Sequence, residues 1–190
     1  VLQGKLSEYD WIHLHHEDFT GQYGKFYASY RMAPWYIAQV RLFEERATLA
    51  GYPTVAEHKK AVAENICRYV ENGGFLFAMC SATDSYDIAL AAENTDICES
   101  VFDGDPLAAD YMNKLNFSRC FAFENFALIT NPMEYEYSDI YVTRETVQSS
   151  GSGAMDYFTL FEFSAKYDPV PCMLTQNHVS VVHNFLGQTT

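Results

Sequence analysis

The residues best suited to chemistry cluster around one cysteine. Gly73-Gly74-Phe75-Leu76-Phe77-Ala78-Met79-Cys80-Ser81-Ala82-Thr83-Asp84-Ser85 reads as a helix stop, a strand, a sharp turn carrying Cys80, and a new helix from about Ser85. The unbroken apolar run Phe75 to Met79 predicts a strand covered on both faces of a parallel sheet. Cys80 then falls at the carboxyl end of that strand, where open α/β sheets bind ligands. A cysteine on a strained strand-to-helix turn has backbone N–H groups at hand for a developing oxyanion. The positive end of the following helix would stabilise a thiolate there. The competing reading is a small, inert, buried cysteine.

A second cluster is Trp11-Ile12-His13-Leu14-His15-His16-Glu17-Asp18. If Tyr9 to His16 is the first strand, His13, His15 and Glu17 share one face and His16 takes the other. Two imidazoles and a carboxylate on one face can hold a metal. The alternative is that His13 is a hydrogen-bonded core residue and that His15, His16 and Glu17 line a site at the strand's end. His178 closes a late apolar stretch, Pro171 to His178, and is a candidate base for a Cys80 nucleophile. Glu17 or Asp84 would orient groups around it.

The elements that must position these residues follow from pattern. The 190 residues suffice for one domain with a substantial core. Hydrophobic residues at 48% against 19% charged mark a globular chain, and a net charge of −13 argues against nucleic acid or an anionic membrane as partner. No apolar run reaches the roughly 20 residues of a membrane span. No signal peptide opens the chain, and the missing initiator Met reads as a processed or truncated terminus. Cys67, Cys80, Cys98, Cys120 and Cys172 form neither a disulfide framework nor a zinc pattern, so reduced thiols are expected.

Tyr23, Phe26, Tyr27 and Tyr30 recur at helical spacing, as a core-facing stripe or a surface that stacks on sugar rings. A helix is expected from about Pro34 to Ala50. Another opens at Pro53, with Thr54 as N-cap and Glu57 at capping-box distance, buries Val55, Val62, Ile66 and Tyr69/Val70, and closes at Gly73. The two strands and the helices between them make a βαβ-like unit. A short helix over Tyr86 to Ala92 follows. Asp103 and Asp105 flank Gly104 without the rest of a calcium loop and read as turn residues. Beyond Phe117, strand-like pieces lie at 121–123, 126–129, 140–142 and 157–163, broken at Asn131-Pro132 and at the Ser/Gly-rich stretch 149–153.

The segment from Gly74-Phe75 through Ser81-Ala82-Thr83-Asp84-Ser85 resembles the elbow of ThuA-like proteins, within the class I glutamine amidotransferase-like superfamily. Cys80 takes the position that is often His in ThuA-like proteins and is the nucleophile in true amidotransferases. Asn131-Pro132 followed by Ser138-Asp139-Ile140-Tyr141 is similar to a later ThuA-like segment, which implies that Asp139 lines the same site. Nearly the whole chain resembles bacterial, Bacteroidota-type proteins labelled "asparagine synthetase B", through Trp11 to Tyr27. That label describes an enzyme with an N-terminal cysteine and a Ser-Gly-Gly-x-Asp-Ser loop, and neither is in this sequence. Members of the family are longer at both ends, carry an export signal, and have a later Gly-Gly-His-Asp.

The resemblance implies an α/β, flavodoxin-like, doubly wound domain with a mainly parallel sheet, spanning 1–190 and incomplete at both ends. Exposed strand edges or apolar sheet faces would follow. It also implies an exported or periplasmic protein. The expected activity is amide hydrolysis or glutamine amidotransfer, with Cys80, His178 and Asp84 catalytic and His15, His16, Glu17 and Asp139 binding a small substrate. No metal or cofactor is required, and association with a second copy remains open. The alternative is a non-catalytic ThuA-like module that binds a carbohydrate or another metabolite.

Overall fold

The computed structural model describes residues 1–140 and 184–186. His178, Cys172 and the strand-like pieces expected at 140–142, 157–163 and 171–178 lie wholly or mostly outside these residues.

Strand β1 (Trp11–Leu14) pairs in parallel with β2 (Phe75–Ala78), in the register Trp11↔Phe75 to Leu14↔Ala78. The chain is therefore a mixed helix-and-strand protein whose described sheet has two strands. β1 is shorter than the Tyr9–His16 expected, because the chain bends away at His15 and His16. Between the strands run a short helix α1 (Tyr27–Tyr30), then α2 (Pro34–Leu49) and α3 (Val55–Glu71).

Local signals account for these boundaries. Pro34 begins α2, where its fixed φ suits a helix and its missing N–H costs nothing. Thr54 caps α3, its hydroxyl accepting from the Glu57 N–H at 3.1 Å. Gly73 leaves α3 at φ +92, and a Cβ at Gly74 would meet the Tyr69 ring at 2.3 Å. One glycine supplies left-handed backbone and the other close approach. On α3 the buried stripe is Val55, Ala56, Ala63, Ile66 and Cys67. Val62, Tyr69 and Val70, expected in that stripe, are half-buried.

The aromatic stretch departs from a single helix. Tyr23, Gly24 and Lys25 all have left-handed φ, at 51°, 70° and 53°. This turn isolates α1 from the residues before it. Asp18 holds the turn, accepting from the Gly24 N–H at 2.9 Å and from the Thr20 N–H and hydroxyl at 2.7 and 2.6 Å. Tyr23 still faces the core, against Tyr36, Phe43 and Phe102.

Helix α4 (Ser81–Ala91) is the centre of the molecule. From Asp84 to Ala91 every residue is buried. One side joins Leu14, Phe19, Ala63, Ile66 and Cys67 in a core under the sheet and α3. The other joins Ile97, Phe123, Phe126, Tyr137 and Ile140 in a second core. The helix starts four residues earlier than expected, because the Cys80 carbonyl accepts from both the Thr83 N–H (3.0 Å) and its hydroxyl (2.8 Å).

Asp87 explains why 121–123 is not a strand. Its carboxylate accepts from the N–H groups of Phe121, Ala122 and Phe123 at 2.9, 2.7 and 2.9 Å. Those donors face a helix side chain rather than a ladder. Burial raises the Asp87 pKa while the three N–H groups pull it back. Segment 126–129 likewise makes only an isolated bridge, Leu128 to Ser138.

The sheet's two faces differ. Leu14 packs inward, with Ile12, Leu76 and Ala78 partly buried against the same core, whereas Trp11 (57% exposed), His13, Phe75 (60%) and Phe77 are exposed on the other side. The expectation of a strand covered on both faces is thus corrected among the described residues: β2 alternates.

Candidate functional site

The turn at Cys80 follows directly from β2 and α4. The ladder runs one bond past the named strands, from the Met79 N–H to the Leu14 carbonyl at 3.0 Å. Cys80 comes next, at φ 55° and ψ −143°, and α4 begins at the following residue. A non-glycine residue held in such backbone costs about 1–3 kcal/mol and persists only where its surroundings over-determine it. Here they do: strand pairing fixes one side, and the two hydrogen bonds that the Thr83 N–H and hydroxyl donate to the Cys80 carbonyl fix the other. Cys80 is exposed, at the positive end of an 11-residue helix.

β1 ends on the same edge. His16 and Cys80 each lie two residues past the last paired residue of their strands, Leu14 and Ala78. Ser85 on α4 clips the loop after β1 in place. Its hydroxyl donates to the Glu17 carbonyl at 2.8 Å and accepts from the Phe19 N–H at 3.4 Å. His15, His16 and Glu17 are exposed there, with the two imidazoles edge-on, ring centres 3.8 Å apart.

Glu17 bends back to accept from the His15 N–H, while His13 stacks on Trp11 and touches Phe77 on the open sheet face. His13 is therefore exposed and not a core residue. A metal triad of His13, His15 and Glu17 is not assembled: the one group of three close metal-type ligands among the described residues is elsewhere.

Asp84 differs from its expected role. It is one turn into α4, 1% exposed, and neither carboxylate oxygen has a hydrogen-bond partner. Burial pushes its pKa up to about 8, against the weaker opposing pull of the Ser85 N–H and its own, which lie near the carboxylate but outside hydrogen-bond geometry. Asp84 is thus a buried neutral acid near pH 7 and does not line the open site. Asp139 is exposed, and its carboxylate accepts from the Ala127 N–H at 2.8 Å. It closes the 127–139 turn, and nothing described brings it to Cys80.

Three neighbours were not singled out from the sequence. Tyr135 lies close enough that Cys80, Glu136 and Asp84 add to burial in raising its pKa. Lys25, 1% exposed, donates to the carbonyls of Ile129 and Glu136 at 2.7 and 2.9 Å, tying the 18–25 turn to the segment that carries Tyr135. Burial lowers its pKa to about 8, opposed by Glu136 and Asp18. Tyr135 in turn meets Phe26, which joins the half-exposed Tyr30 and Trp35 in one aromatic cluster. Only the buried Lys25 carried a sequence signal, a lone cation in an aromatic run; the other two depend on a turn that brings residues 135 and 136 back to residue 80.

Fold and site together define a mixed α/β protein with an exposed, left-handed cysteine between a parallel strand and a buried helix. No protein-family model, curated protein or solved structure matches the chain. No helix among the described residues is long and apolar enough to cross a membrane.

Proposed function

We propose that Cys80 is the nucleophile of an acyl-transfer site that hydrolyses an amide or transfers ammonia from glutamine, in a flavodoxin-like, doubly wound domain of the class I glutamine amidotransferase-like type. The observation that carries this reading is the backbone of Cys80: left-handed, exposed, and set between β2 and α4. A nucleophile elbow needs such a turn, because it projects the side chain away from the sheet and leaves the next N–H pointing at the reacting carbonyl.

In this reaction the Cys80 thiolate attacks the amide carbon. A C–S bond forms, and the developing oxyanion takes the Ser81 N–H. The C–N bond then breaks, and ammonia leaves with a proton from an imidazole. Water cleaves the thioester, giving the carboxylic acid and restoring the thiol. His178, which lies outside the described residues, is the base in this reading, and His15 and His16 follow β1 on the Cys80 edge as substrate-binding groups. Tyr135, on which the Cys80 charge acts, is the described aromatic nearest in effect to the thiol.

The test is a screen of glutamine and simple amides for ammonia release, wild type against Cys80→Ala, with mass spectrometry of the acyl-enzyme. Turnover lost in the variant, with an adduct on the Cys80 peptide, supports the reading. Turnover unchanged in Cys80→Ala contradicts it.

A second reading rests on a separate observation, the half-exposed rings of Tyr30, Trp35 and Tyr135, which meet around Phe26. Such rings stack on sugars. A binding module predicts saturable quenching of Trp35 fluorescence by oligosaccharides that survives Cys80→Ala.

A further inference from the structure

We propose that Asp96, Cys98 and Asp103 form a site for a thiophilic divalent cation of the zinc class, separate from the Cys80 elbow and independent of its reading. One ligand atom from each lies within 4.8 Å of the others. Zinc–sulfur and zinc–oxygen bonds of about 2.3 and 2.0–2.2 Å set neighbouring tetrahedral ligands roughly 3.5 Å apart. The three side chains therefore need to close by about 1 Å, within reach of rotation about their side-chain bonds.

The local structure already fixes much of the arrangement. Asp96 accepts from the Cys98 N–H at 2.9 Å, and Asp103 accepts from the Asp105 N–H at 3.2 Å. Both carboxylates are thereby oriented while keeping a free lone pair each. The Cys98 thiol is fully buried and donates to the Thr20 carbonyl at 3.2 Å. A cation would take the sulfur as thiolate and release that proton to solvent.

The second, independent indication is Thr95. It is 5% exposed, and its hydroxyl oxygen has no hydrogen-bond partner among the described residues. Thr95, Asp96 and Asp103 line one cavity of about 630 Å³, with Glu57, Lys60 and Asp105 on its other walls. A buried hydroxyl left unpaired costs about 1–3 kcal/mol. A cation held at Asp96, the next residue in the chain, would give that hydroxyl a partner.

One thiolate and two carboxylates favour zinc over calcium or magnesium, which take oxygen ligands alone. Three protein ligands and an open fourth position leave the cation able to bind a further donor. Without the cation, Lys60 supplies the facing positive charge: its ammonium donates to the Thr95 carbonyl, and Cys98, Asp96, Glu57 and Asp103 all act on it.

Cobalt(II) titration of the reduced chain, followed by zinc, tests this. The expected result is a near-ultraviolet thiolate-to-cobalt band that zinc bleaches and that Cys80→Ala retains. Asp103→Asn, a near-isosteric change at the end of the short helix Ser100–Asp103 that spares the core, should weaken binding tenfold or more, Cys98→Ser should remove the band, and Lys60→Met should tighten binding. No thiolate band in folded wild type overturns the proposal. So does a band that survives Asp103→Asn at full affinity or disappears in Cys80→Ala.

Discussion

Cys80 and Cys98 lie on either side of α4 in the chain, and their settings are opposite. Cys80 is exposed and held in costly left-handed backbone. Cys98 is fully buried, and burial first, then Asp103, Asp96 and Asp18, pushes its pKa well up. Strain with exposure makes a thiol available to an incoming carbonyl; burial among carboxylates keeps it protonated until a cation displaces the proton. The strand–turn–helix pattern marks Cys80 in the sequence, whereas nothing there marks Cys98. The helix between them sets the contrast, because its first residue follows a strand edge and its last is followed by a loop folded back on α3.

The largest effect that would break this contrast is loss of the strap over α4. Asp87→Ala orphans three N–H groups, that of Phe123 buried and those of Phe121 and Ala122 part-buried, at about 1–3 kcal/mol for the buried one and less for the others. Roughly 3–4 kcal/mol of destabilisation is expected in urea unfolding, with Cys98 and Cys120 becoming labelled alongside Cys80. Asp84 gives the next effect. Its folded pKa of about 8 lies above the ordinary carboxylate value. The folded state therefore keeps a proton that the unfolded chain gives up above about pH 4, and stability falls as pH rises from there to 8. That slope amounts to roughly 3 kcal/mol between pH 5.5 and 7.5, and Asp84→Asn should flatten it in parallel denaturation curves. The smallest effect sharpens the contrast. Cys80→Gly should be about 1 kcal/mol more stable than Cys80→Ala, because glycine accepts the left-handed turn. The same pair of substitutions at position 98 should not show that order.

Signals confined to a few neighbouring residues were legible in the sequence. Thr54 with Glu57, Gly73 with Gly74, and the strand–turn–helix at Cys80 all depend on local backbone chemistry, and the structure has each of them. What failed depended on distant partners. Phe121 to Phe123 has a strand-like composition, yet Asp87, more than thirty residues earlier, takes its donors. The stripe from Tyr23 to Tyr30 has helical spacing, yet Asp18 and buried Lys25 hold a left-handed turn across it. Asp84 reads as a polar helix-start residue, and only the second core laid over α4 reveals that it is sealed from water. The acidic stretch after α4 reads as turns, yet Ser100–Asp103 is a short helix that Gly104 ends in left-handed backbone. Its nearness to Cys98 could not be seen from spacing alone.

Competitive alkylation tests the central claim most directly. Limiting iodoacetamide near neutral pH, followed by peptide mapping, should label Cys80 at least about a hundredfold faster than Cys67, Cys98 or Cys120, the factor set by a local opening of roughly 3 kcal/mol. Burial raises the pKa of all three slower thiols, that of Cys67 to about 11. Comparable labelling of the four, or Cys80 among the slowest, would contradict an exposed elbow nucleophile.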